Sequence, residues 1–128
     1  MASEGESGGA GRKRGRLSRS GDFDRAYRDG RSHADRHLVL FVFPREQDEG
    51  GDEVRLGISV GRKVGGAVER NTVKRAMREA FWGLSDRLPA GYDFVLVGRA
   101  GVAELIDREG TKGLTKAIAA LLDEAGQG

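Results

Sequence analysis

The sequence has no cysteine and only two prolines, Pro44 and Pro89, in 128 residues. Without cysteine there is no disulfide, no thiol nucleophile and no thiolate-bound metal. No apolar run approaches the ~20 residues that a bilayer-spanning helix needs, and the first residues lack the apolar centre of a signal peptide. A soluble, cytoplasmic protein with no membrane association is expected. Enzymatic signatures are missing too: there is no H-E-x-x-H, no G-x-x-x-x-G-K-[ST] loop and no G-x-S-x-G. The two histidines, His33 and His37, flank the first apolar strand and share its face if that strand is regular. They stand too far apart for a tight metal pair without a third ligand, which favours a structural or solvent role. The acids Glu46, Asp48, Glu49, Asp52 and Glu53 gather in one loop, away from the basic segments. A two-metal nuclease centre built from protein carboxylates is therefore disfavoured, and so is catalysis by this chain alone.

What remains is charge and a small core. Charged residues make up 33% and apolar ones 38%, with 21 glycines, so the apolar residues must concentrate in a few elements of a single domain. The net charge of +2 hides strong segregation. Residues 1–11 are rich in Gly, Ser and Glu and read as a disordered tail. Arg12, Lys13, Arg14, Arg16 and Arg19 then form a basic arm, which could follow a phosphate backbone without fixed geometry. The domain is expected over 12–125, with a second short tail at 126–128.

Ser20 is a suitable N-cap for a short helix over about 21–29, closed by Gly30 and placing Phe23, Ala26 and Tyr27 on one side. The run HLVLFVF at 37–43 reads as a strand with Val39, Phe41 and Phe43 on one face and Leu38, Leu40 and Val42 on the other. A long acidic hairpin loop follows, and VRLGISV at 54–60 is expected to pair back as the next strand. YDFVLV at 92–97 is nearly continuous in apolar residues, as expected inside a sheet. A helical turn is expected at 103–106. Leu114, Ala117, Ile118, Leu121 and Leu122 then mark a closing amphipathic helix with Thr111 as its N-cap. The fold class is α+β, a two-layer α/β sandwich of order α-β-β-α-β-α on a small mixed sheet.

Between the second and third of these strands lies GRKVGGAVERNTVKRAMREAFW, residues 61–82. At 100° per residue, Val73, Met77, Ala80, Phe81 and Leu84 share a core-facing stripe. Arg70, Lys74 and Arg78 form a second ridge at i, i+4, i+8, with Asn71 and Arg75 beside it. Like charges stacked in this way repel by a few tenths of a kcal/mol per pair, a cost that an anionic partner removes. Gly61, Gly65 and Gly66 before the helix let backbone N–H groups approach phosphate oxygens. Together with the aromatics Phe23, Tyr27 and Phe41, expected beside the ridge, these features suit single-stranded nucleic acid.

Residues Arg62, Lys63, Gly65, Ala67, Val68, Arg70, Asn71, Lys74, Arg75, Arg78 and Glu79 match a basic-basic-x-G-x-A-V-x-R-N-x-x-K-R-x-x-R-E pattern, and Arg16, Leu17, Asp22, Phe23, Tyr27 and Gly30 match its upstream companion. In these motifs the chain resembles the bacterial ribonuclease P protein subunit over about residues 14–99. The resemblance implies an additional strand, giving α-β-β-β-α-β-α, from a split of residues 31–43, and a left-handed β-α-β crossover. It implies a partner, a large catalytic RNA, and a substrate, precursor tRNA, whose 5′ leader the ribonucleoprotein removes with Mg2+ bound mainly by the RNA; no obligate protein partner is implied. Arg62, Lys63, Arg70, Asn71, Lys74, Arg75 and Arg78 would face the catalytic RNA, while Phe23, Tyr27, Val39 and Phe41 would form the leader cleft. Thr72 and Gly66 depart from the family pattern, where a cation and an asparagine are common. The Thr72 hydroxyl is expected to keep a hydrogen bond where a phosphate contact is weakened. The rival readings are a ribosome-associated RNA-binding protein of similar fold, against which the spacing of the basic motif argues, and an autonomous nuclease, against which the missing carboxylate cluster argues.

Overall fold

A computed structural model describes residues 14–16, 27, 28, 30–44, 54–88 and 92–127. Five strands and two helices account for most of them: β1 (Arg14–Arg16), β2 (Arg31–Ala34), β3 (Leu38–Pro44), β4 (Val54–Val60), α1 (Ala67–Trp82), a 3-10 turn (Ser85–Arg87), β5 (Tyr92–Gly98) and α2 (Val102–Gln127). Tyr27 and Arg28 are helical; the rest of the helix expected over 21–29 lies outside the described residues, as do the tail at 1–11 and the acidic loop. The sheet runs β1-β4-β5-β3-β2. β3 is antiparallel to both β2 and β5, whereas β4 is parallel to β5 and to β1.

The expected β3–β4 hairpin does not form, because β5 lies between the two strands. YDFVLV is apolar on both faces, so it is most stable with a neighbour on each side. The α1 crossover delivers it beside β4, and the free edge of β5 then accepts β3. Strand spacing of about 4.8 Å means that the loop at 45–53 need only span about 10 Å to step over one strand. The split of residues 31–43 does occur. Asp35 Oδ1 accepts the N–H groups of His37 and Leu38, each at 2.8 Å, and this turn separates β2 from β3. His33 and His37 therefore do not flank one regular strand.

Alternation along the strands sorts the sheet into two faces. Leu38, Leu40, Val54, Leu56, Val60, Phe94 and Leu96 pack with Val73, Met77, Ala80 and Phe81 of α1 and with Leu105, Leu114, Ile118 and Leu121 of α2 in the main core. The opposite face carries a smaller cluster, with Phe43 and Val95 buried and Phe41 and Val97 partly so. α2 contains the foreseen turn at 103–106 and the closing helix in one run, kinked at Gly110 (φ 69°, ψ −166°), a conformation open essentially to glycine alone. The helix continues to Gln127.

Candidate RNA-binding surfaces

The rotation of α1 is set by its apolar stripe. Val73, Met77, Ala80 and Phe81 are buried, so Asn71, Arg75 and Arg78 are exposed while Arg70 and Lys74 are half-buried at the flank. Gly66 is the N-cap and has no side-chain cap; its own N–H donates to Glu69 Oε1 at 3.3 Å. Just before it, Val64 is anchored in the core at 8% exposure. Two tight backbone bonds, Val64 N–H to the Gly61 carbonyl and Gly65 N–H to the Arg62 carbonyl, leave Arg62 and Lys63 exposed on the same loop.

Among the described residues, no carboxylate lies within ion-pair distance of Arg62, Lys63, Arg70, Lys74, Arg75 or Arg78. The ridge is an uncompensated cationic surface. Arg70 goes further: its Nε is buried without a hydrogen-bond partner, a donor already stripped of water and not yet paired within the chain. The Thr72 hydroxyl does keep a hydrogen bond, which it donates to the Val68 carbonyl at 3.0 Å. The proton is spent inside the helix, and only the oxygen lone pairs remain for a ligand.

The second set of residues lies on the other side of the sheet. Tyr27 meets Phe41 edge-on at a centroid distance of 4.9 Å and 66°. Tyr27 remains 47% exposed, and Val39 and Phe41 are half-buried. In β3 the odd-numbered residues turn away from α1, so this aromatic strip and the ridge do not form one continuous surface beside each other, as the sequence suggested. Phe23 lies outside the described residues, as do Arg12, Lys13 and Arg19. Arg14 and Arg16 belong to β1, whose backbone pairs in parallel with Val54 and Leu56. That part of the basic arm is therefore a strand and not a free tether.

Two features escaped the sequence reading. Val68, in the first turn of α1, is an 80% exposed apolar residue among the cations; its place outside the 73, 77, 80, 81 stripe was the available signal. On the aromatic face, Arg55 and Asp93 form an ion pair across β4 and β5; these residues are 38 positions apart, so nothing local points to it. His33 Nδ1 stands 3.8 Å from Glu124 Oε1, separated from His37 by the Asp35 turn. No group of three or more His, Cys, Asp or Glu residues able to hold a metal occurs among the described residues. No described helix is long and apolar enough to cross a membrane.

Residues 12–123 match the family model described as Ribonuclease P. The chain is 34% identical over 103 residues to the ribonuclease P protein component of Bacillus cereus strain B4264, covering 80% of this chain and 87% of that one. Among solved structures, the ribonuclease P protein of Thermotoga maritima superposes with a TM-score of 0.73 at 31% identity, covering 85% of this chain and 96% of the other. The Staphylococcus aureus protein gives 0.72 at 31%, with coverages of 86% and 94%.

Proposed function

The chain belongs to the ribonuclease P protein family, and from that membership we propose how its two surfaces divide the work of a tRNA-processing ribonucleoprotein. It acts as the protein subunit, binding the catalytic RNA and the single-stranded 5′ leader of precursor tRNA so that the leader is removed to give the mature 5′ end. The single observation that carries this reading is the ridge of Arg70, Lys74, Arg75 and Arg78, which has no carboxylate partner among the described residues. A surface of that kind is stabilised by a polyanion and by little else.

In this division of labour, the ridge and the loop that carries Arg62 and Lys63 dock on the catalytic RNA. Asn71 adds a neutral hydrogen-bonding group on the same exposed side. Tyr27, Val39 and Phe41 form a half-open platform on which leader bases stack, and the family resemblance assigns Phe23 to the same task. Stacking is tolerant of base identity, which suits a subunit that must accept many leader sequences. The groups that carry out hydrolysis are assigned to the RNA, where Mg2+ supplies the activated water. The chain's own part is to hold the leader and the RNA core in a fixed relation and to neutralise phosphate between them. The cytoplasm is the assigned compartment, and no obligate protein partner is invoked.

The test is to incubate the purified chain with precursor tRNA and magnesium, with and without the catalytic RNA. Cleavage that is accelerated only when both components are present is expected. Cleavage by the protein alone would overturn the assignment of catalysis to the RNA. An RNA reaction indifferent to the protein would overturn the subunit role.

A further inference from the structure

Away from the ridge and the aromatic strip, the turn at 35–37 and the first turns of α2 enclose a cleft lined by Arg36, His37, Gly101, Glu104 and Arg108. The walls are tied together. Arg99 donates its backbone N–H to the His37 carbonyl at 2.9 Å and its Nη1 to the Asp35 carbonyl at 2.9 Å. Asp35 Oδ1 in turn fixes the N–H groups of His37 and Leu38. At Gly101 the segments touch, since a Cβ there would lie 3.5 Å from His37 Cδ2.

Three of the four ionisable groups in the cleft are basic, and they are poorly engaged. Arg36 is exposed and has no hydrogen bond or ion pair among the described residues. Arg108 Nε reaches only Glu109 Oε2, the next residue, at 3.3 Å and with both side chains about half exposed. An exposed pair of that kind contributes little and is readily exchanged for a stronger anion. Glu104 sits one helical turn from Arg108 and is the one acid at the rim.

Position gives the cleft a role. Leu38 and Val60 are both in register with Gly98, so the cleft lies at the end of the sheet where β3 begins and β4 and β5 finish. His37 is two residues before Val39, the start of the aromatic strip, and Val60 leads directly into the loop of Arg62 and Lys63. We propose that this cleft is a third RNA contact, in which Arg36 and Arg108 clamp a backbone phosphate while His37 donates an imidazole N–H to it. Paired guanidinium groups suit the planar, bidentate recognition of phosphate oxygens. The phosphate belongs either to the precursor strand lying along β3 or to the catalytic RNA approached through residues 61–66. The inference rests on the ribonuclease P reading.

The experiment uses reconstituted holoenzyme containing the Arg36→Ala/Arg108→Ala chain, the charge-keeping Arg36→Lys/Arg108→Lys chain, and Arg70→Ala as a reference. Affinity for the catalytic RNA, and affinity of the holoenzyme for precursors with long and very short leaders, are each measured across a salt series. The alanine pair is expected to lose about tenfold in affinity, the scale of one or two charged hydrogen bonds. The log-log salt slope should also fall by about 0.7 per lost contact on single-stranded RNA, and the lysine pair should recover most of both. A loss confined to long-leader precursor assigns the phosphate to the leader, and a loss in catalytic-RNA affinity assigns it there. Unchanged affinities and slopes, with Arg70→Ala still weakening assembly, overturn the cleft and leave the proposed function standing. If Arg70→Ala is silent as well, the function itself falls.

Discussion

Arg55 and Asp93 face each other across the parallel strands β4 and β5, with Nε on Oδ1 at 3.0 Å and Nη2 on Oδ2 at 2.6 Å. Asp93 is wholly buried, while the Arg55 side chain keeps 21% of its exposure. Asp93 is also in register with Phe43, so this two-pronged pair lies at one end of the aromatic strip and holds β4 and β5 in lateral register beneath it.

Removing the arginine alone should therefore be severe. Arg55→Ala deprives a buried carboxylate of the guanidinium that bonds both its oxygens, and a loss of about 3 kcal/mol in unfolding free energy is expected from buried pairs broken on one side. Replacing both residues with leucine should recover a large part of that loss, because the two opposite charges then leave the site together. Urea unfolding of the single and double variants measures both. A single variant as stable as the parent would show that the pair carries no structural weight.

Arg70 should behave in the opposite sense. Its stem is half-buried and its Nε is an unmet donor, so Arg70→Met keeps the packing of the methylenes and removes a desolvated polar group. Unfolding free energy should stay level or rise slightly while affinity for the catalytic RNA falls, with a salt slope lower by about 0.7 to 0.9. Lys74→Ala should reduce the slope similarly. Parallel losses of stability and binding would mean that Arg70 is a structural residue only.

Tyr27→Ala tests the aromatic strip. The ring is nearly half exposed and touches Phe41 by its edge, so folding should change little. Loss of one stacking surface should weaken binding of leader-bearing precursor by about 1 to 3 kcal/mol and leave mature tRNA binding almost untouched. The comparison of the two dissociation constants decides: equal losses on both ligands would remove Tyr27 from the leader site.

These contrasts also show what a linear chain can disclose. The α1 stripe was legible because Val73, Met77, Ala80 and Phe81 recur at the helical period, and the period alone orients the ridge. The interior position of β5 was legible because five apolar residues in the six positions 92–97 disfavour an edge. Strand order was not, since adjacency in sequence favoured a β3–β4 hairpin while burial of β5 on both sides separated them. The strand at Arg14–Arg16 gave no signal, because its pairing with β4 is backbone to backbone and R-G-R has no apolar alternation. The aromatics and cations looked contiguous because both were attached to neighbouring elements. Only the alternation of β3 against the placement of α1 reveals that Phe41 and Arg70 address different sides of the sheet.

The start of α1 allows a prediction in which stability and function part company. Gly66 already has the extended backbone that an N-cap requires (φ −72°, ψ −178°), and a Cβ there meets nothing within 4 Å. Gly66→Ser should therefore fit without strain. Its hydroxyl oxygen can accept an N–H from the first turn that no side chain now caps, and the unfolded chain loses glycine's extra freedom. A gain of about 0.5 kcal/mol in unfolding free energy is expected. If the uncapped N–H groups are kept open for RNA phosphate, as the neighbouring Arg62 and Lys63 suggest, the same change should lower affinity for the catalytic RNA severalfold. Thermal unfolding and RNA titration of one variant give both quantities. A variant that is more stable and binds equally well would show that phosphate is held by the side chains of the ridge and not by the helix terminus.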